Sequence, residues 1–164
     1  MRPPRHWLLK SEPEAFSFED LWRAAKRTTS WGGVRNYQAR NLLRDELARG
    51  DLVLFHHSST EPIGVAGVAR VVRAGYPDPT QFDARDAAHD PDSPHAAPRW
   101  FAVDVQALGR LPRFVPLAEL RQEPRLGRMV LLRRGARLSV QPVTPSEWRI
   151  VLSMGGWRGR LPGS

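Results

Sequence analysis

A short stretch that begins at Trp31 places a flat indole ring beside a glycine turn and a run of hydrogen-bonding side chains. Gly32 and Gly33 permit a sharp turn and let a ligand approach the main chain closely. Trp31 could stack on a planar group, Asn36 could read the edge of that group, and Arg35 could hold an anion at the following helix start. The alternative is a core tryptophan beside a tight turn and a solvated basic helix face.

Further polar groups stand at the ends of two predicted strands. Ser11 follows the first strand and its hydroxyl could contact a ligand, while Lys10 beside it is better suited to a phosphate. His57 and Ser58 end a later strand and could donate to or accept from a ligand, although a structural histidine is an equal alternative. Trp100 opens another strand, where it could form a second aromatic wall or pack in the core.

The charge balance favours a polyanion as the partner. The 164 residues carry 25 basic and 17 acidic side chains, which gives a formal net charge of +8. Basic domains of this kind often bind nucleic acid. Nearly all the basic residues are arginines, so a coding bias is the alternative explanation. Arg40, which follows the glycine turn, is a candidate phosphate ligand or a solvated surface residue.

Several classes of function find no support in the composition. The chain contains no cysteine, which excludes disulfides and thiolate chemistry. Its histidines lack the arrangement of a zinc site. Its apolar runs are far shorter than the roughly 20 residues that span a bilayer, and its first residues do not resemble a secretory signal. We therefore expect no metal, no cofactor, no membrane partner and a cytoplasmic location.

A hydrolase interpretation would rest on His57, Ser58 and an aspartate such as Asp51. Adjacent residues of a strand point to opposite faces, so His57 and Ser58 cannot pair with each other as base and nucleophile. The chain also lacks a nucleophile elbow, a phosphate-binding loop and a zinc-protease motif. We therefore expect no catalytic residues.

The elements that must position these residues are short and of mixed type. Strands are predicted for residues 7–10, 52–57, 63–72, 100–105 and 138–140. Helices are predicted to begin near Ser17, Asn36, Leu117 and Thr144. Residues 129–132 fit a strand or a helix, and residues 75–98 form a long irregular segment. This order predicts an α+β fold around a curved sheet or small barrel, not a doubly wound sheet.

Six blocks of sequence, in a fixed order, resemble the EVE domain family of the PUA-like superfamily. The blocks are residues 7–13 (WLLKSEP), 31–41 (WGGVRNYQARN), 50–58 (GDLVLFHHS), 76–80 (YPDPT), 99–100 (RW) and 138–143 (LSVQPV). The resemblance implies a PUA-like pseudo-barrel with several short helices packed outside it. It also implies a single domain over residues 1–164, with a core at about 6–152 and a loose tail at 153–164.

The resemblance further implies a non-catalytic module that recognises a modified base, chiefly a modified cytosine such as 5-methylcytosine in DNA. The base would flip out of its stack into an aromatic pocket, and the related YTH domains hold a methylated adenine of RNA in a similarly placed pocket. Binding of modified RNA, processing of a nucleotide by an enzyme, and sensing of a free nucleoside are the alternatives. We expect DNA to be favoured over RNA as the partner, and the protein to be a monomer.

Together these considerations define a candidate site and two departures from the family pattern. The ligand-binding set is Ser11, Trp31, Val34, Arg35, Asn36, His57, Ser58 and Trp100, and the phosphate-binding set is Lys10 and Arg40. Gly32 stands where the family usually has an acidic residue after the tryptophan, which removes an acceptor for a base amino group. His56 stands where the family usually has a tyrosine, which changes shape and charge near the pocket.

Overall fold

The fold is built on one open, mixed β-sheet. The computed structural model describes residues 2–135 and 137–161. Its strands are β1 (His6–Ser11), β2 (Thr28–Trp31), β3 (Leu52–His57), β4 (Gly64–Pro77), β5 (Phe101–Pro116) and β6 (Val140–Val143). They pair in the order β2-β5-β4-β3-β1-β6, with β1 and β3 parallel and all other neighbours antiparallel. The predicted α+β fold with a PUA-like curved sheet is confirmed, but β2 and β6 form the two described edges, so the barrel is not closed.

Four α-helices pack around this sheet, each close to its predicted start. They are α1 (Phe18–Arg23), α2 (Tyr37–Asp45), α3 (Leu117–Gln122) and α4 (Pro145–Met154). Ser17 and Thr144 each form a capping box at the start of α1 and α4, in which side chains satisfy backbone groups that the first helical turn leaves unpaired. Asn36 caps α2 through its side-chain oxygen. Short 3-10 helices lie at Ala25–Arg27, Pro79–Phe82, Pro124–Leu126 and Val130–Leu132.

Both faces of the sheet are buried, which gives two hydrophobic clusters. On β3, Val53 and Phe55 pack in one cluster, whereas Leu52 and Leu54 pack in the other. This alternation follows from the period of two in a strand, and it explains why β3 is apolar along nearly its whole length. The first cluster contains Trp31 and the inward face of α2, and the second contains the inward face of α4.

Several strands differ from the prediction, and one segment that the sequence left undecided is now assigned. The strands β4 and β5 run well beyond residues 63–72 and 100–105, and they pair through a series of register shifts. The second half of β5 was not predicted because it contains Gly109 and Pro112, which are uncommon within strands. Its side chains nevertheless alternate between buried and exposed. The strand β2 was missed because it is short and polar except for Trp31, and only its pairing with β5 makes it a strand. Val130–Leu132, undecided from sequence, is a 3-10 helix.

The C-terminal residues pack on the sheet as far as the structure describes them. Trp157 and Leu161 lie against the second cluster, and a side chain at Gly109 would come within 2.7 Å of the Trp157 ring. Residues 153–164 were predicted to form a loose tail, but Trp157 and Leu161 of this segment pack on the domain. Residues 162–164 lie outside the described residues. Within 2–135 and 137–161, no helix is both long and apolar enough to cross a membrane.

Candidate functional site

A cleft of about 660 Å3 is lined on one side by the end of β2 and on the other by the end of β1. We call it the Trp31 cleft. The predicted site residues that line it are Lys10, Ser11, Trp31, Val34, Arg35 and Asn36. Phe16, Thr29, Ser30 and Ser139 also line it, and sequence reasoning had assigned none of them to the ligand. Phe16 precedes the helix cap at Ser17, so from sequence it is typical of a residue that packs on its own helix.

The indole of Trp31 forms a fixed wall of this cleft. Trp31 is the last residue of β2 and is only 8% exposed. Its ring meets the ring of Phe55 edge-to-face, with centroids 5.4 Å apart and planes at 88°. This contact is a favoured aromatic geometry and holds the indole in one orientation. Trp31 therefore belongs to the core and lines the cleft as well, so the two interpretations made from sequence are compatible.

The glycine turn after Trp31 closes around the buried carboxylate of Asp78. Gly33 has a φ of +73°, a conformation that favours glycine, and its backbone N–H donates to Asp78 Oδ2 at 2.7 Å. A Cβ atom at Gly32 would lie 2.9 Å from Asp78 Oδ1. Burial alone would raise the pKa of Asp78, but hydrogen bonds from Thr80, Gly33 and Arg35 outweigh burial and hold that pKa below its usual value. Asp78 therefore stays charged and shapes the turn.

The side chain of Arg35 braces the irregular segment beside the cleft. Its Nη1 atom donates to Val34 O and to Asp78 Oδ2, both at 3.0 Å. Its Nη2 atom donates to Thr80 Oγ1 at 3.0 Å and to Ala88 O at 2.7 Å, and its Nε atom also donates to Ala88 O. These bonds use every N–H of the guanidinium. Arg35 was predicted to bind the ligand; it lines the cleft, and its N–H groups already bond to the loop that it positions.

Asn36 and Ser11 line the cleft with part of their hydrogen-bonding capacity already used. Asn36 Oδ1 accepts from the backbone N–H of Ala39 at 2.9 Å, which caps α2 and leaves the side-chain NH2 group as the donor for a ligand. The Ser11 hydroxyl donates to Phe16 O, which leaves its oxygen as an acceptor. Lys10 is half-buried at the end of β1, and this burial lowers the pKa of its amine. The cleft thus combines an aromatic wall with a few polar groups and one amine.

Comparison with known proteins assigns the family. Residues 5–154 match the family model of the EVE domain. The chain belongs to the EVE domain family.

Its relatives cover nearly the whole chain. It is 44% identical over 166 aligned residues to thymocyte nuclear protein 1 of Homo sapiens, an alignment that covers 91% of this chain and 73% of that protein. A crystal structure from Pseudomonas putida superposes with a TM-score of 0.87 at 43% identity, covering 92% of this chain and 99% of the other. Human thymocyte nuclear protein 1 in complex with DNA containing 5-methylcytosine superposes with a TM-score of 0.87 at 42% identity, covering 94% and 99%.

Two predicted ligand groups of this EVE domain lie elsewhere and have structural partners. His57 Nε2 accepts from the backbone N–H of Phe18 at 3.1 Å, so the histidine caps the start of α1. Trp100 is 6% exposed, its Nε1 donates to Asp90 Oδ2 at 2.7 Å, and its ring stacks on Tyr37 with centroids 4.9 Å apart. Neither residue lines the Trp31 cleft. Trp100, which was predicted to form a second aromatic wall, therefore lies outside the cleft and bonds to Asp90 instead.

The remaining predicted residues divide between two surfaces. Arg40 Nη1 donates to Arg99 O at 2.8 Å and Nε donates to Asn41, so this side chain ties α2 to the start of β5 rather than lining the cleft. Ser58 donates to Ser11 O through its backbone and lines a second cleft together with Lys10. The described residues contain no cluster of histidine, aspartate and glutamate that could hold a metal ion.

Proposed function

We propose that this EVE domain is a non-catalytic DNA-binding module that recognises a modified base, with 5-methylcytosine as the first candidate, flipped into the Trp31 cleft. The observation that carries the proposal is the cleft itself: an ordered indole wall and a small polar lining, in a chain 42% identical to a human protein solved with 5-methylcytosine DNA. Its volume of about 660 Å3 lies within the range of small-molecule sites.

The lining suits a planar base with a polar edge. Trp31 offers an aromatic surface, and stacking on such a surface contributes roughly 1–3 kcal/mol per base. The Asn36 NH2 group can donate to a base acceptor, and the Ser11 oxygen can accept from an amino group. Flipping a base costs a few kcal/mol, which stacking and phosphate contacts together can offset. One added methyl group contributes about 1–3 kcal/mol of selectivity, so we expect modest discrimination.

The geometry at His57 favours binding over catalysis. A neutral imidazole has one nitrogen lone pair, and at His57 that lone pair accepts from the Phe18 N–H. Burial also lowers the pKa of His57, which keeps the ring neutral at physiological pH. The histidine would have to break a helix cap before it could act as a general base. This arrangement supports a role in holding α1 in place.

The test is a binding titration with matched oligonucleotides. Single- and double-stranded DNA and RNA, each with plain cytosine, 5-methylcytosine, 5-hydroxymethylcytosine or methyladenine, are titrated at two salt concentrations. We expect tighter binding of one modified DNA. A ligand that loses affinity when its 2′-hydroxyls are removed would assign RNA instead. Equal, strongly salt-dependent binding of all oligonucleotides would contradict base recognition.

Variants of two tryptophans separate stacking from fold. Trp31→Leu keeps an apolar side chain in the core but removes the aromatic wall, so the preference for the modified base should disappear while the salt dependence stays. Trp22→Leu is the matched control, because Trp22 lies outside the Trp31 cleft, between Arg27 at 3.4 Å and Arg110 at 4.7 Å from its ring centroid. Circular dichroism spectra of both variants would be compared with that of wild type to check that they fold. Unchanged base preference in folded Trp31→Leu would rule out the stacking role.

A further inference from the structure

A second cleft, of about 650 Å3, lies on the other face of the sheet from Trp31, and we call it the His56 cleft. Lys10 and His56 are register partners on the parallel strands β1 and β3, near the carboxyl ends of both strands. Parallel partners point to the same face, and this face carries Leu54 and the second hydrophobic cluster. Leu131 and Leu132 complete an apolar side of the cleft. Neither the family comparison nor the base-binding proposal assigns a ligand to it.

The wall formed by His56 contains a buried polar group without a partner. His56 is 1% exposed, and neither Nδ1 nor Nε2 has a hydrogen-bond partner among the described residues. Burial, with the charge of Lys10 as a smaller contribution, lowers the pKa of His56 to about 4, so the ring is neutral and carries one N–H donor. An unsatisfied buried donor is unfavourable for folding. Because buried polar groups are nearly always hydrogen-bonded, an unpaired one that lines a cleft is a candidate for binding a ligand.

The rim of the same cleft is uniformly basic. Its described lining includes no carboxylate, and the arginines of the lining are Arg121, Arg133, Arg134 and Arg137. All of these are exposed, and none forms an ion pair with a described aspartate or glutamate. Nearby Arg113 and Arg125, by contrast, pair with Glu119 and Glu123. The charge at this rim is therefore not neutralised by the protein, and an anion would be attracted to it.

The two clefts are connected through shared residues. Lys10 lines both the Trp31 cleft and the His56 cleft. On the other side, Asn36 lines the Trp31 cleft and also a smaller cleft of about 390 Å3 that it shares with Arg133 and Arg137. If one base of a DNA strand occupied the Trp31 cleft, the neighbouring phosphates of that DNA strand would lie close enough to be attracted by these arginines.

We propose that the His56 cleft binds a backbone phosphate of the same DNA strand whose modified base occupies the Trp31 cleft. The exposed Arg133, Arg134 and Arg137 supply the charge, and the buried His56 N–H donates to a phosphate oxygen after the side chains that cover it move aside. This inference rests on the proposed function, because it takes the DNA strand from it.

The first experiment measures how DNA affinity depends on salt. Fluorescence anisotropy with a duplex that carries one 5-methylcytosine is recorded at several salt concentrations. The double variant Arg133→Ala/Arg134→Ala should lower the slope of log K against log salt by roughly 2, since each phosphate contact contributes about 0.9. Arg49→Ala is the matched control. Its side chain is exposed, and it forms no ion pair with a described residue. Arg49 precedes β3, whose span from Leu52 to His56 is about 13 Å at about 3.3 Å per residue. The control should leave the slope unchanged, because it removes no phosphate contact.

The second experiment changes the buried ring. His56→Phe keeps an aromatic ring but removes the N–H, and we expect roughly tenfold weaker DNA binding with no loss of folding stability. His56→Tyr provides a hydroxyl donor and should recover most of the affinity. A residue with only a structural role would lower the melting temperature in His56→Phe and leave the affinity of the folded protein unchanged.

The outcomes separate this inference from the proposed function. If the arginine variant keeps the wild-type salt slope while the 5-methylcytosine preference persists, the phosphate subsite is wrong and base recognition stands. If the arginine and His56 variants weaken DNA binding but wild type shows no base preference, the phosphate subsite stands and base recognition is wrong. If inorganic phosphate binds in a His56-dependent manner while DNA affinity is unaffected by His56→Phe, the cleft holds a free anion and the DNA assignment is wrong.

Discussion

The buried carboxylate of Asp78 holds the turn that shapes the Trp31 cleft, and Asp78→Asn is the sharpest test of that architecture. Asp78 Oδ2 accepts from Gly33 N and Arg35 Nη1, while Oδ1 accepts from the Thr80 N–H and from its hydroxyl. Every neighbour is a donor. An asparagine has the same shape, but its NH2 group must face one of these donor pairs, so at least one backbone N–H loses its acceptor.

The expected loss in the free energy of unfolding can be estimated from these contacts. Removing one partner of a buried ion pair costs about 3–5 kcal/mol. The Asp78 side chain is fully buried, but Arg35 is 23% exposed, so solvent can compensate part of the loss. We therefore expect the free energy of unfolding to fall by about 2–4 kcal/mol. In a domain of this size that corresponds to a drop in melting temperature of roughly 5–15 °C.

Thermal and urea unfolding of Asp78→Asn measure this change against a matched control. Asp92→Asn is the same substitution in the same irregular segment, but the Asp92 side chain is exposed and forms no ion pair with any residue that the structure describes. The control should stay within about 0.5 kcal/mol of wild type. If the two variants are equally stable, Asp78 does not hold the turn, and the account of Arg35 as a brace is refuted as well.

Two further predictions concern the stability of the protein at acid pH and the close packing of Gly64 against the backbone of β5. Burial lowers the pKa of His56 to about 4 in the folded state, so the unfolded chain takes up a proton at a higher pH than the folded protein does. The free energy of unfolding of wild type should therefore fall by roughly 3 kcal/mol as the pH falls from about 6.5 to 4. His56→Phe should remove most of this pH dependence. Urea unfolding at several pH values measures the effect, and equal slopes in both proteins would contradict it. A Cβ atom at Gly64 would lie 2.1 Å from Val115 O, so Gly64→Ala should destabilise by roughly 3 kcal/mol or more, whereas Gly127→Ala, with 3.4 Å to the nearest atom, should be nearly neutral in a thermal melt.

Local patterns predicted most of the helices because capping is a short-range interaction. Ser17 and Thr144 each bond to the residue three positions on, so both partners of each capping box stand within one turn of the sequence. The buried strand β3 was also predictable, since its apolar residues on both faces have few alternatives to burial. The edge strand β2 had no such signal, because its polar residues pair only through the distant β5.

Only some of the predicted site residues line the Trp31 cleft, and the structural bonds of the others could not be predicted for one physical reason. Trp31, Asn36 and Ser11 line one cleft as expected. Arg35 and Trp100 could be recognised as polar or aromatic groups, but their partners, such as Asp78 and Asp90, stand on a segment with no regular period. A hydrogen bond over more than forty positions for Arg35 leaves no trace in local spacing. Sequence therefore predicted which side chains could bind, and not which were already occupied.

The amino-acid sequence alone determined the family, the mixed order of elements, the helix starts and the basic character of the surface, since each depends on residue type or on neighbours within a few positions. Tertiary structure alone decided that the sheet stays open and that the Asp78 carboxylate accepts from Gly33, Arg35 and Thr80. It also decided that the buried His56 ring has no hydrogen-bond partner among the described residues. These properties arise where strands remote in sequence become neighbours and remove water from the groups between them. Burial then decides which polar atoms are satisfied and which remain available for a ligand.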